Sequence, residues 1–248
     1  MEILHEVFDF DRSLKDIDDI LAVTSEKVQK YQKIPTLEEL GDHQLFVAVC
    51  TIVYLRLRPL RDTNMTVFGE SDKTNQSVIT FRQRVISQHL FINLMREHQK
   101  CFDFMFFGDD MCCALDTAFQ TDINELFELL AKLNSMLSIL SRKSMQVGLS
   151  ALEWGIGAHY GETFVTINRY QTRDEHFNWS GLAFQTSFDL SNMAINDVPN
   201  TIYTSDVFYK NLKDKYKELM RKKENNIYTA NIINRPIKDW QTENLDKK

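Results

Sequence analysis

The stretch EWGIGAHYGETFVTINRY, residues 153–170, decides the fold of this chain. Its glycines stand among β-branched and aromatic residues, which favour strands, and a glycine inside a strand marks a bend or the close approach of another backbone. We predict two strands here, joined around Gly161. A hairpin-like segment, FFGDDMCCALD at residues 106–116, precedes them, and WSGLAFQTSFDLSNMA, starting at Trp179, follows them. The sequence therefore predicts a sheet combined with helices.

A second pattern places the centre of the sheet. The run LFVAVCTIVYL, residues 45–55, is continuously apolar and rich in β-branched residues, as in a strand that is buried on both faces. In the hairpin, the short runs CFDFMFF and MCCAL flank Gly108-Asp109-Asp110, whose residues suit a tight turn. Long helices are predicted before and after the hairpin, on the apolar stripes Val78, Phe81, Val85, Leu90 and Leu94, and Ile123, Leu126, Phe127, Leu130, Leu133 and Leu137.

The order of the predicted elements defines the fold class. The polar stretch QTRDEHFN, residues 171–178, is predicted as a loop, a third helix covers residues 180–194, and a strand from Thr201 leads into a helix near Ser205. The order β-α-β-β-α-β describes a split βαβ core. We therefore predict an α+β, ferredoxin-like palm domain with a mainly antiparallel sheet and helices packed on one face.

Three parts are predicted along the chain. Residues 1–43 form an N-terminal helical extension, whose amphipathic helix ends before Pro35. Residues 44–234 form the palm domain, which closes with a strand at residues 226–234, and residues 235–248 form a charged tail. No low-complexity linker separates a second domain.

The composition excludes several classes of function. The 248 residues carry a net charge of −6, so the chain lacks the basic surface that binds a phosphate backbone, and we predict no nucleic-acid partner. The four cysteines show no CxxC spacing, which fits a reducing compartment. No leader is recognised, and the longest apolar run is too short to cross a bilayer. We predict a soluble, cytoplasmic protein with no membrane partner.

The motifs FFGDDM, GIGAHYGE and WSGLAFQTSFD, in this order and spacing, resemble the catalytic domain of class III nucleotidyl cyclases, the adenylate and guanylate cyclase family. The resemblance covers residues 44–219 and implies the palm-like core of that family. It also implies a nucleoside triphosphate as the ligand and Mg²⁺ or Mn²⁺ as the metal, if the nucleotide site is functional. In size and architecture, the chain is similar to the stand-alone pyrimidine cyclases of the bacterial antiphage system called Pycsar.

The resemblance implies one metal ligand and leaves another position open. The family holds two divalent ions with two aspartates, one in the first core strand and one in the hairpin, and two ions stabilise the attacking and leaving oxygens. Asp109 is the implied hairpin ligand, whereas Thr51 and its neighbour Ile52 fall at the first-strand position. Asp110 is a further candidate ligand, although successive strand side chains point to opposite faces. Asp62 and Asp72, in the loop after the strand, lie out of register.

The helix motif departs from the family pattern at its cation. Aligned on Gly181, Gln185 stands where the family has asparagine, and Asp189 stands where it has arginine or lysine. A positioned arginine is worth about 10³ to 10⁵ in rate in phosphoryl transfer. A carboxylate about 4 Å from a phosphate would instead cost on the order of 4 kcal/mol at an effective dielectric near 20. Efficient cyclisation at an ordinary site is therefore not expected.

The positions that select the base in the family are occupied by residues that select none. Met105 replaces the lysine of many adenylate cyclases, and Asn178 replaces their aspartate. Phe184 joins these nucleotide-binding positions, with simple packing as the alternative reading of its ring.

Three functions stay open at this point. The first is a cyclase-homology protein of weak or absent activity that binds nucleotide or pairs with a partner, in antiphage cyclic-nucleotide signalling for example. Because cyclase sites of this family lie at a dimer interface, the pairing is a homodimer or a heterodimer with an intact cyclase-like chain. The second is an active cyclase that makes cUMP, cCMP or cAMP and pyrophosphate, with Asp109 as metal ligand and Gln185 as amide donor. The third is a polymerase-type palm, suggested by the GDD triplet alone.

Overall fold

The computed structural model describes residues 9–22, 28–40, 45–58, 71–168 and 176–245, with the backbone alone for residues 16, 19, 20, 37, 40, 71–80, 168 and 176. Its elements are α1 (Phe10–Leu21), β1 (Gln29–Tyr31), α2 (Leu37–Leu40), β2 (Leu45–Leu57), α3 (Ser71–Met95), β3 (Cys101–Phe107), β4 (Asp110–Leu115), α4 (Gln120–Gln146), β5 (Trp154–Asn168), β6 (His176–Ser180), α5 (Leu182–Asp197), β7 (Thr201–Ser205), α6 (Asp206–Lys210), α7 (Asp214–Lys217), β8 (Arg221–Lys222), a 3₁₀ turn (Glu224–Asn226), β9 (Ile227–Ala230) and α8 (Arg235–Asn244).

The strands form a single mixed sheet. Its order is β3-β4-β2-β5-β7-β9-β8, with β1 beside β2 and β6 beside β5. All pairings are antiparallel except β1 with β2 and β5 with β7. The predicted α+β palm with a mainly antiparallel sheet is confirmed, and so is the element order β-α-β-β-α-β.

The opening stretch forms one strand, so the predicted break at Gly161 is wrong. β5 pairs with β2 without interruption from Leu45 opposite Thr166 to Leu57 opposite Trp154. The absent side chain of Gly161 makes room for a neighbour instead, because a Cβ there would lie 2.6 Å from Nε2 of His159. The strand that follows β5 along the chain is β6, which pairs with it in antiparallel fashion. β6 begins at His176, inside the segment 171–178 that was predicted as a loop.

Helices cover both faces of the sheet centre. Val53 and Leu55 of β2 belong to the core beneath α3 and α4. Ile52 and Tyr54 belong to a second core on the opposite face, which α5 covers through Ala183. The alternation along a strand buried on both sides accounts for the continuously apolar pattern of β2.

Two glycines of β5 set how closely α5 approaches the sheet. A Cβ on Gly157 would lie 2.1 Å from the carbonyl oxygen of Ser187, and one on Gly155 would lie 2.2 Å from that of Ser191. The Ser187 hydroxyl donates a hydrogen bond of 2.8 Å to the carbonyl of Ile52. The glycines therefore place a helix backbone directly on the strand.

The two ends of the chain each carry structure beside the predicted elements. The amphipathic helix α1 ends at Leu21, before Pro35 as the sequence predicts. The strand β1 then extends the sheet beside Phe46–Ala48, where the first half of β2 offers an open edge. The predicted charged tail contains α8, which contacts α4. Across the described ranges, every helix is too short or too polar to cross a lipid bilayer.

Candidate functional site

The hairpin tip carries the aspartate that the resemblance points to. Gly108 has φ of 65° and makes the turn between β3 and β4, a conformation that glycine adopts at low cost. Asp109 follows it, and its Oδ2 lies 2.9 Å from Nη1 of Arg84 on α3. The side chains are 17% exposed for Arg84 and 29% exposed for Asp109. The aspartate therefore already has a close cationic partner within the chain.

Asp110 points to the opposite side of the sheet. Its Oδ2 lies 3.7 Å from Nε of Arg56 and accepts a hydrogen bond of 3.4 Å from the hydroxyl of Tyr54, both on β2. Burial raises the pKa of Asp110, and the nearby Arg56 guanidinium opposes that rise. The pKa of Tyr54 is also raised, first by burial and then by the charge of Asp110. A carboxylate, a phenol and a guanidinium thus form one linked polar group at the end of β2.

The two hairpin carboxylates do not converge on a common point. Asp109 turns toward α3 on one face, whereas Asp110 turns toward Tyr54 and α5 on the other. Among the described residues, no group of three or more His, Cys, Asp or Glu side chains could hold a metal ion. Asp62 and the side chain of Asp72 lie outside what the structure describes. The described donors therefore do not fit the Mg²⁺ or Mn²⁺ pair of a cyclase site.

The structure does not bring Thr51 to Asp109. Thr51 lies opposite Leu115 and is fully buried, with its hydroxyl 2.5 Å from that of Thr117. The antiparallel register runs on to Leu55 opposite Met111, so the next residue, Arg56, is the one that reaches Asp110. Arg56 is five residues beyond Thr51, or about 17 Å along an extended strand.

The position of Ile52 is also structural. Ile52 is fully buried beneath α5, which its carbonyl anchors through Ser187. Thr51 and Ile52 therefore lie in the interior, several residues along β2 from the hairpin carboxylates. Their assignment to a nucleotide site stays a prediction.

An aromatic cluster fills the space beside Arg56. The ring of Tyr54 lies 6.0 Å from Phe184 and 5.3 Å from Phe188, both edge to face, and it stacks on Phe107 at 6.4 Å. The guanidinium of Arg56 lies 5.0 Å from the centre of the Phe188 ring, a cation-π contact that orients its charge. Phe184 thus packs within the chain, which is the alternative that the sequence left open.

The helix motif forms a closed polar pair on α5. Nε2 of Gln185 donates a hydrogen bond of 3.0 Å to Oδ1 of Asp189, one helical turn further on. Asp189 also lines a cavity of about 340 Å³ between α5, the start of α6 and β9. Gln185 and Asp189 thus satisfy one another on an exposed helix surface.

The two base-selecting positions lie apart from this pair. Met105 is on β3, opposite Cys112, and packs against the core beneath α5. Asn178 is exposed on β6, opposite Thr166 of β5. Neither is joined to Asp109 by a contact in the described structure.

Sequence reasoning missed three residues of this site, namely Arg84, Arg56 and Tyr54. A signal was present for two of them, because Tyr54 and Arg56 are the polar-tipped and charged residues at the end of an otherwise apolar strand. A buried or half-buried charge requires a partner. Arg84 had no such signal, since arginine is ordinary on an exposed helix turn.

No family model and no curated protein matches this sequence. Similar solved structures include the guanylyl cyclase Cya2 (15% identity, TM-score 0.57, covering 77% of this chain and 95% of that one) and the adenylyl cyclase CyaB from P. aeruginosa (12%, 0.58, 77% and 97%). A class III adenylyl cyclase-like ATP-binding protein from Pseudomonas aeruginosa matches 95% of this chain at 15% identity and TM-score 0.56. This chain spans about half, 53%, of that protein. The chain therefore has the fold of a class III nucleotidyl cyclase catalytic domain.

Proposed function

We propose that this protein is a cyclase-fold protein that binds a nucleoside triphosphate without cyclising it efficiently and pairs with a second cyclase-fold chain. The observation that carries the proposal is the pairing of each hairpin carboxylate with an arginine, Asp109 with Arg84 and Asp110 with Arg56. A carboxylate that is paired with a guanidinium attracts a divalent ion less strongly, because the positive charge beside it offsets its own. Asp189, at the position of the family's cation, removes a second catalytic element.

Arg84 supplies a way to hold a phosphate group. A guanidinium presents a planar fork of donors that matches phosphate oxygens, and it stays protonated under all ordinary conditions. The side chain of Arg84 is partly exposed, with 17% open to solvent. Arg56 lies on the other face of the sheet, against the Phe188 ring. The similar structure that is described as an ATP-binding, cyclase-like protein supports a binding role on this fold.

Pairing with another chain is supported by exposed apolar side chains. Phe106 and Phe107 at the hairpin are 46% and 50% exposed, and Phe164 and Leu182 near the start of α5 are 48% and 68% exposed. Phe107 also contacts Phe184 of α5, with the ring centres 5.8 Å apart. Exposed apolar side chains that gather in a patch mark interaction sites. The partner is a second copy of this chain or an intact cyclase-like chain, and the setting we propose is cytoplasmic antiphage signalling by cyclic nucleotides.

The second candidate is an active cyclase that converts a nucleoside triphosphate to a 3′,5′-cyclic nucleotide and pyrophosphate. The observation in its favour is coverage, since the chain spans 95% and 97% of two cyclase structures. Such activity would need Mg²⁺ or Mn²⁺ and an opening of the Asp109–Arg84 pair. It would also need a cation from elsewhere to replace Asp189.

Asp109→Asn separates the two candidates by the sign of its effect. If Arg84 holds the triphosphate, removal of the Asp109 carboxylate frees Arg84 and removes a repulsive charge, so nucleotide affinity should rise about threefold to tenfold, as for a partly exposed pair worth about 1 kcal/mol. If a metal held by Asp109 carries the nucleotide, the same change weakens binding and abolishes product. Calorimetry with each nucleoside triphosphate, with and without EDTA, measures the affinity.

The companion measurement is product analysis after incubation with all four nucleoside triphosphates and Mg²⁺ or Mn²⁺. We expect no cyclic mononucleotide by mass spectrometry, and binding that persists in EDTA. Arg84→Gln should lower the affinity about tenfold, whereas the matched control Lys210→Gln, an exposed lysine paired with Asp206 on α6, should leave it unchanged. A metal-dependent cyclic product that disappears in Asp109→Asn would establish the active cyclase instead.

A further inference from the structure

A cavity of about 450 Å³ lies between α3, α4 and α8, away from the hairpin carboxylates. Sites of about 300 to 1,000 Å³ lined by apolar side chains are typical of small-molecule binding. Among the described residues, its walls are apolar except for one charged group, Lys143. The apolar lining includes Ile86, Leu90, Met136, Leu140, Ile237 and Trp240.

Gln83 of α3 and Lys143 of α4 lie at the same end of the cavity. α3 and α4 run antiparallel, because Glu97, just after α3, lies 2.7 Å from Lys132 in the first half of α4. Ile86 and Lys143 line the cavity together, near the start of the described part of α3 and the end of α4. Gln83 precedes Ile86 by about one helical turn, so it lies at the same level as Lys143.

α8 runs parallel to α4 and adds a second amide at this end. At its start, the backbone N–H of Asn234 donates to Oγ of Ser135 over 2.7 Å. Further along, Nζ of Lys143 lies 5.7 Å from the centre of the Trp240 ring. Gln241 follows Trp240 directly, so it too lies at the Lys143 end of the cavity.

Both glutamines are buried with amide atoms that lack a partner. Gln83 is 2% exposed, and neither its Oε1 nor its Nε2 forms a hydrogen bond within the described part of the chain. Gln241 is 3% exposed, and its Nε2 is likewise without a partner among the described residues. Buried polar groups are nearly always hydrogen-bonded, and a buried group without a hydrogen bond lowers stability. Their places along α3 and α8 put both glutamines at the Lys143 end of the cavity, behind the residues that line it.

We propose that this cavity binds an aliphatic carboxylic acid, a medium-chain fatty acid of about 10 to 14 carbons given a site of this size. The chain of the acid lies along Leu90, Met136 and Ile237, where burial of each methylene is favourable. The carboxylate lies at Lys143, whose ammonium gives a charge-assisted hydrogen bond. The buried amides of Gln83 and Gln241 add hydrogen-bonding groups at the same end of the cavity. The site is independent of the nucleotide proposal, since it shares no residue with it.

Calorimetry of the full chain with monomeric sodium dodecanoate tests the proposal, with dodecan-1-ol as the uncharged probe. We expect saturable binding of both, and a change in the fluorescence of Trp240, which lines the cavity. Lys143→Met keeps an unbranched side chain but removes the charge, so dodecanoate affinity should fall about tenfold while dodecanol affinity stays unchanged. Lys132→Met, on the same helix but paired with Glu97, is the matched control and should change neither affinity.

Ile86→Trp tests the cavity itself, because Ile86 is 46% exposed and a larger ring there can enter the cavity without entering the core. It should weaken both probes at least about tenfold. Met136→Phe gives the same test where Ile86→Trp fails to fold by circular dichroism. Absence of binding to the native chain, or binding that both filled variants leave unchanged, overturns the proposal. It is equally overturned if the native chain dimerises through this face, with Ile86→Trp dissociating the dimer and dodecanoate having no effect.

Discussion

Gly157→Ala is expected to lower the free energy of unfolding by about 3 kcal/mol or more, or to prevent folding altogether. The added Cβ would lie 2.1 Å from the carbonyl oxygen of Ser187 and 2.5 Å from the backbone nitrogen of Ser191. Both atoms belong to the backbone of α5, so no side-chain rotation relieves the overlap. The helix would have to lift from β5, which would also break the hydrogen bond from Ser187 to Ile52. Urea denaturation followed by circular dichroism measures the loss.

Gly108→Ala is the matched control for this prediction. Gly108 has φ of 65°, and a Cβ there meets no atom within 4 Å. Its replacement therefore carries only the left-handed backbone penalty, about 1 kcal/mol. If Gly157→Ala were no more destabilising than Gly108→Ala, the close packing of the α5 backbone against β5 would be incorrect.

The second large effect concerns pH and His159. This residue lies on β5 between Gly157 and Gly161, on the face that α5 covers, and is 7% exposed. Its Nδ1 has no hydrogen-bond partner within the described ranges. Burial lowers the pKa of the imidazole from its ordinary 6.5 to about 4. The folded protein therefore holds this ring neutral where the unfolded chain would protonate it.

The sign of the pH effect follows from proton binding. Between pH 6.5 and about 4 the unfolded chain binds a proton at His159 that the folded chain does not, so the free energy of unfolding falls as the pH falls. The contribution of the neutral ring is complete above pH 6.5 and is lost on acidification through about pH 4. The total loss is about 3 kcal/mol, at about 1.4 kcal/mol for each pKa unit.

His159→Leu provides the comparison for this prediction. The variant lacks the titrating group and is close in volume, so its stability should change less between about pH 7.5 and pH 4 than that of the native chain. Urea denaturation at a series of pH values measures both, and the difference should be constant above about pH 7. Parallel pH profiles for the two proteins would contradict the burial of an uncharged ring at this position.

The hairpin and the sheet show why patterns of adjacent residues were sufficient for the fold. Gly108 and the flanking apolar runs predict the tight turn correctly, because turn chemistry and strand alternation act over a few residues. The continuous apolar run at the centre predicts β2 correctly for the same reason. Gly161 was interpreted wrongly as a turn residue. A glycine is needed there because the His159 side chain fills the space that a Cβ would take.

The site residues depend on distances that no local pattern contains. The displacement from Thr51 to Arg56 results from the register of β2 with β4. The Asp109–Arg84 pair joins residues that are 25 positions apart on different elements. A cationic partner at such a separation cannot be recognised from residue type, because arginine on a helix is most often exposed.

The sequence by itself determined the α+β palm, the core order β-α-β-β-α-β and the hairpin that carries Asp109. These follow from hydrophobic periodicity, turn residues and motif spacing, which are properties of neighbouring residues. Only the tertiary structure decided that α5 covers the second face of the sheet and that Arg84 and Arg56 form ion pairs with the hairpin carboxylates. It also decided that an apolar cavity with Lys143 at one end lies between α3, α4 and α8. Each of these depends on which segments pack together, and packing is set by the sum of many weak contacts between distant parts of the chain.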